Sequence, residues 1–324
     1  MNLTFEEIKS ITFGAIDIIN KEDGVHFMKC SQKQIDAWYK LRTDLGERAE
    51  TTTGVTIDFH TNSKNVRFSV IGDKYELLVN GMLTQQIVSE PVASQNEQVI
   101  HVELSGEEQR VTLVFPSHGV GILRSISVDK GAYVHPHQFD EKILFIGDSI
   151  TQGWDSKFDC MSFAHRVASF YNAERVINGI GGAIYHPSTF DRVQFEPNIV
   201  IVAYGTNDYD YYQGYEDYKN SVVSYLEMIE EAYRGKNVFI ITPIWRFDKD
   251  NARPIGTFEK CRDTIKEESE RLGFISVDGY ELVPHLESFY ADIVHPNELG
   301  FGVYAEKLIN KIGEQVCTNS LRKK

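Results

Sequence analysis

Three uninterrupted apolar runs constrain this chain more than anything else in it: Ile143-Leu144-Phe145-Ile146, Ile199-Val200-Ile201-Val202 and Val238-Phe239-Ile240-Ile241. A strand that is apolar at every position is buried on both faces, as in a parallel sheet covered by helices on each side. Helical spacing fills the intervals. Phe163, Ala164, Val167 and Phe170 share one helix face, Tyr218, Val222, Tyr225, Leu226 and Ile229 another, and a third helix is expected from Ile255 to Leu272. This alternation predicts a doubly wound, flavodoxin-like α/β domain with a parallel sheet over residues 136–324, whose ligand-binding residues directly follow the strands.

Upstream the grammar differs. From about Ile11 to Val128 apolar residues recur mostly with period two, as in Val55, Ile57 and Phe59, then Val66, Phe68 and Val70, then Val111, Leu113 and Phe115. Such alternation marks half-buried strands. Asn80-Gly81, after Leu77-Leu78-Val79, signals a tight hairpin whose two central residues need positive φ. The expectation is an all-β, jelly-roll-like sandwich over residues 1–135, with Lys130 to Glu141 as connector. A length of 324 residues accommodates two such domains.

The residues after each apolar run are the chemical ones. Gly147-Asp148-Ser149-Ile150-Thr151 places a serine where a strand breaks, with backbone N–H groups nearby to hold an oxyanion; Asp148 is expected to orient the loop. Asn178-Gly179-Ile180-Gly181-Gly182 suits a backbone that approaches a ligand closely or needs positive φ, and its spacing is not that of a dinucleotide fingerprint. Gly205-Thr206-Asn207-Asp208 offers a carboxamide donor to developing negative charge. Asp292-Ile293-Val294-His295-Pro296 supplies a base and, three residues before it, a carboxylate that orients the imidazole, ahead of a helix from Asn297 onward. Each motif has a plain reading as a turn or helix cap; their ordered conjunction at strand ends is what points to nucleophilic catalysis.

These four blocks resemble those of the GDSL/SGNH hydrolase superfamily. The resemblance covers about Lys142 to Gly313 and implies Ser149 as nucleophile and oxyanion donor, Asn207 as the side-chain donor, and Asp292 and His295 as the acid–base pair. It implies Gly182 as the glycine donor, with Gly181 the alternative; many family members have Asp after this glycine, whereas Ala183 follows here. An N-terminal β-sandwich beside such a domain is similar to a bacterial subgroup that includes family 2 carbohydrate esterases and related acyl esterases. The implied activity is that of a cofactor-independent serine esterase, without a metal, acting on small O-acyl groups such as acetate on a carbohydrate. An acyltransferase with the same residues and an inactive glycan-binding protein are the alternatives.

Trp154, Tyr209 and Trp245 are the expected pocket residues, since all three fall near the ends of the apolar runs; Tyr209 opens the tyrosine-rich segment Tyr209 to Tyr215, read either as an aromatic wall or as loop packing. His135 and His137 are read as structural, and Cys160 as a small core residue. Lys plus Arg number 33 against 47 Asp plus Glu, a net charge of −14 relieved only by Arg322, Lys323 and Lys324 at the end. An acidic surface repels phosphate backbones and anionic membranes, so neither nucleic acid nor membrane is an expected partner. MNLTFEEIKS lacks an apolar signal core, and Cys30, Cys160, Cys261 and Cys317 are scattered, so a cytoplasmic location is expected.

Overall fold

A computed structural model of the chain describes residues 1–89 and 96–322, with side chains through Gln315 in the last helix. Cys317 and the basic tail lie outside the described side chains. Five parallel strands form the central sheet of the second half, in the order Ala173–Gly179, Glu141–Gly147, Ile199–Ala203, Asn237–Ile241 and Ile275–Val277. This is the flavodoxin-like order, in which the chain switches direction across the sheet on either side of the first strand. The unbroken apolar runs divide by residue parity. Ile143, Phe145, Ile199, Ile201, Phe239 and Ile241 pack against the helices Phe163–Phe170 and Glu298–Arg322. Leu144, Ile146, Val200, Val202, Val238 and Ile240 pack toward Tyr215–Ala232 and Phe258–Arg271 on the opposite face. The last of these helices begins three residues later than expected because Thr257 caps it, its side chain accepting from the Lys260 N–H. Among the described residues no helix is long and apolar enough to cross a membrane.

The first half contains two antiparallel sheets, of six and five strands. Inward residues Ile57, Phe59, Leu77, Val111 and Leu113 of one meet Val66, Phe68, Ile100, Leu123 and Ile126 of the other in a single core. Asn80 and Gly81 make the hairpin turn with φ of 51° and 78°.

Two departures from the expected sandwich matter for the site. Residues 31–49 are helical, as Gln32–Leu41 and Thr43–Ala49, where period-two strands are expected. Ser31 and Gln34 form a capping box, and Ile35, Trp38, Leu45 and Ala49 are buried in one core of the parallel sheet, not in the sandwich. The hydrophobic cores therefore do not follow the order of the sheets along the chain. Moreover, the polar face of the six-stranded sheet is not solvated. Glu76, 1% exposed, accepts from the N–H groups of Asp159 (2.7 Å) and Cys160 (2.8 Å), and Lys74 donates to Asp159 at 2.8 Å. The sandwich thus clamps the loop that follows Ser149. Cys160 is half-buried at this contact and not a core residue, and His137 bridges His60 (3.0 Å) and Asn172 (2.7 Å).

Candidate active site

Gly147 ends the first parallel strand paired with both Gly179 and Ala203, so the loops that follow these three strand ends converge. The chain then turns into a one-turn helix, Ser149–Gln152, capped by Asp148, whose Oδ1 accepts from the Ile150 N–H at 2.9 Å. Burial pushes the Asp148 carboxyl up to about 6 against the pull of that N–H. As the first helical residue Ser149 has no intrahelical acceptor for its own N–H, which has no partner among the described residues.

Ser149 Oγ lies 2.8 Å from His295 Nε2, and His295 Nδ1 lies 2.8 Å from Asp292 Oδ2. The distances suit a hydroxyl donating to a neutral imidazole that in turn donates to a carboxylate. Asp292 is set by its own turn: Oδ1 accepts from the N–H groups of Val294 and His295, each at 2.7 Å. Burial raises the Asp292 pKa, but these N–H groups and the imidazole outweigh it and hold the carboxyl below its ordinary value. Ala291 N–H donates to the His295 carbonyl at 2.9 Å and Phe247 N–H to the Ile293 carbonyl at 2.9 Å, which closes and buttresses this loop.

The structure separates the two glycines. Gly181 N–H donates to Gln152 Oε1 at 2.7 Å, whereas Gly182 N–H has no acceptor among the described residues. Gly182 also has φ of +84°, and a Cβ there would lie 3.1 Å from both Arg42 Nη2 and Arg48 Nη1. Its N–H is the one left for an oxyanion. Asn207 Nδ2 donates to the Ala183 carbonyl at 3.0 Å, which orients the carboxamide and leaves its second hydrogen free. Arg246, 4% exposed, donates to the Thr206 carbonyl at 2.8 Å and anchors this loop through Asp210 and Asp248. Asn207→Ala is expected to lower kcat by about 10²–10³-fold with little change in KM, because a donor aimed at developing charge acts mainly in the transition state. Steady-state kinetics with p-nitrophenyl acetate checks this; a change confined to KM would make Asn207 a ground-state binding residue.

Of the expected pocket residues only Trp154 meets the triad. Its half-buried ring lies 6.3 Å from the His295 ring and 4.8 Å from His118, with the Arg48 guanidinium 5.2 Å from its centroid. Tyr209 is a correction: it is wholly buried, packs on Phe258 at 5.0 Å and donates to the Asn251 carbonyl at 2.6 Å, so it has no face for a substrate. Tyr212 is buried likewise, its hydroxyl on the Tyr185 carbonyl, and the tyrosine segment is chiefly packing. Trp245 stacks on His285 at 4.2 Å, and none of its ring contacts is with the triad.

Residues that sequence reasoning missed complete the surroundings. Gln152, besides holding Gly181, donates to the Ser117 carbonyl of the sandwich at 2.7 Å. Arg48 donates to the Gly181 carbonyl at 2.7 Å. Asp155, in the left-handed region at φ 63°, brings Oδ2 within 3.3 Å of His295 Nδ1, so two carboxylates face one ring nitrogen. No local signal marks these residues, because each reaches the site through a fold contact. Asp155, Asp292 and His295 could together face a metal ion, their ligand atoms within 4.8 Å of one another, but the imidazole–carboxylate bond accounts for the cluster. Asp292→Asn is expected to cost only about 10²-fold in kcat, against the roughly 10⁴-fold loss where one carboxylate orients the histidine. In Asp155→Asn/Asp292→Asn the loss should approach that larger figure and the acid limb of the kcat/KM pH profile should move. If Asp292→Asn alone matches the double variant, Asp155 does not share the role.

Residues 145–303 match the model of the GDSL-like lipase/acylhydrolase family. No curated protein matches by sequence. Solved structures match in fold. A salicylyl-acyltransferase, SsfX3, from a tetracycline biosynthetic pathway superposes with a TM-score of 0.80 at 16% identity, over 94% of each chain. A family two carbohydrate esterase from Cellvibrio japonicus gives 0.70 at 14% identity, over 95% of this chain and 96% of that one. Another from Clostridium thermocellum, in complex with cellohexaose, gives 0.65 at 16% identity, over 82% and 93%.

Proposed function

Residues 145–303 form a GDSL-like lipase/acylhydrolase domain, and from that premise we propose that the protein is a serine esterase cleaving small O-acyl esters, acetyl above all, on carbohydrates. The observation that carries the reading is the unbroken chain from Ser149 through His295 to Asp292, at 2.8 Å per link, beside the two unengaged N–H groups of Ser149 and Gly182 and the oriented carboxamide of Asn207. In this reading Ser149 Oγ attacks the ester carbonyl carbon while His295 Nε2 takes its proton. The carbonyl oxygen becomes an oxyanion facing the three donors. The C–O bond to the alcohol then breaks, His295 returns the proton to the leaving oxygen, and the acyl group stays on Ser149. Water, deprotonated by the same imidazole, attacks the acyl carbon; the bond to Ser149 Oγ breaks, His295 returns the proton to Oγ, and the acid leaves.

The carbohydrate part of the proposal draws support from the carbohydrate esterases among the structural neighbours, one of them holding cellohexaose. Trp154 offers a stacking surface beside His295. The neighbour named as an acyltransferase supports a second reading, in which an alcohol other than water accepts the acyl group. One experiment separates these. The protein is offered p-nitrophenyl esters of graded chain length and acetylated oligosaccharides, and products are followed by mass spectrometry. Release of free acetate with preference for the shortest acyl chain is the expected result. Transfer products in place of acetate would establish the transferase, and no turnover of any ester would overturn both.

A further inference from the structure

A second polar site lies between the sandwich and the α/β domain. It is a cavity of about 270 Å³ lined by Asp58, Arg110 and Thr112 from the six-stranded sheet and by His165, Asn172 and Arg175 from the other domain. Arg175 is 6% exposed, its Nε has no hydrogen-bond partner, and no ion pair reaches it among the described residues. His165, 2% exposed, also has an unpartnered Nε2. The one carboxylate in the lining is already engaged: Asp58 takes two bonds from Arg110, at 2.8 and 2.6 Å, and a third from the Thr112 hydroxyl at 3.1 Å. The lining thus holds two guanidiniums and one carboxylate, an arrangement left one negative charge short in a place where an unpaired charge is costly. Burial accordingly pulls the Arg175 pKa down to about 10.

We infer that this cavity is a binding site for a small oxyanion, a phosphate or a carboxylate, held by the planar donor fork of Arg175 with His165 and Arg110 around it. The planar guanidinium matches either anion through paired N–H···O bonds. Arg175 is paired with Ile143, near the start of the parallel strands, and the catalytic loops leave their other end. The site is therefore separate from the ester chemistry, and because its residues come from both domains, an anion in it ties them together.

The test uses the full chain in phosphate, acetate or chloride at matched ionic strength. A ligand bound only by the folded state raises the melting temperature. At about five times its Kd, phosphate or acetate should raise Tm by about 1–2 °C over chloride. Arg175→Met should lose this shift while retaining ester hydrolysis. Calorimetric titration of the wild-type protein gives an independent reading should the variant not fold, with one saturable site expected. No shift and no heat with either anion would overturn the inference. So would a shift that survives in Arg175→Met, since the anion would then be acting elsewhere.

Discussion

Ser149→Ala is expected to lower kcat for p-nitrophenyl acetate by about 10⁴–10⁶-fold while leaving the circular dichroism spectrum unchanged. Among the described residues the hydroxyl has one hydrogen-bond partner, His295. The short helix is capped by Asp148 and not by Ser149, so removing Oγ takes away the nucleophile and no fold contact. The nearby Thr151 does not replace it, because its buried Oγ1 has no hydrogen-bond partner and so no base. A fluorophosphonate should label the wild-type protein at Ser149, seen as a mass shift on the peptide carrying it. Activity above a few per cent in the variant, or labelling elsewhere, would remove Ser149 from the role.

The second large effect belongs to His295. In the proposed mechanism its ring moves the proton in both half-reactions, so His295→Ala should cost nearly as much as Ser149→Ala, and the double variant should lie within about 10-fold of either single one. A serine without its base is a weak nucleophile, and a base without its serine has nothing to activate. The loop itself should survive, since it is closed through the His295 carbonyl and the backbone N–H groups on Asp292, which alanine keeps. Multiplicative losses in the double variant would mean that the two side chains do not act as one unit. The four rates, with a melting curve for each protein, decide the point.

The reach of the sequence can be read from particular residues. Ile143–Ile146, Ile199–Val202 and Val238–Ile241 are local signals: apolarity at every position has one common structural solution, and each run is a strand of the parallel sheet. The blocks after them are equally local, because a strand end, a turn glycine and an Asx turn are set within a few residues, as with Asp292 and His295 in one loop. That much was legible in order and spacing, and the common rim of the sheet follows from the fold class. Amphipathic spacing, by contrast, says that a face is buried without saying against what. Ile35 and Trp38 join the α/β core although their neighbours in sequence are sandwich strands, and Tyr209, beside Asn207 in the chain, turns inward onto Phe258.

Composition and periodicity alone thus determined two kinds of sheet and the points where chemistry could emerge. Tertiary structure decided which donors are left over. The resemblance favours Gly182 over Gly181 by alignment alone; in the structure Gln152, anchored on Ser117, takes the N–H of Gly181 and leaves that of Gly182. Asp155 faces His295 in a loop whose far end, Asp159 and Cys160, is held by Glu76 and Lys74 from far upstream. Arg175 Nε is left without a partner among the described residues in a cavity lined from both the six-stranded and the parallel sheet. The physical reason is common to all three. A hydrogen-bonding group has a fixed number of partners, and which of them it finds depends on contacts between residues far apart in the chain, which no local pattern encodes.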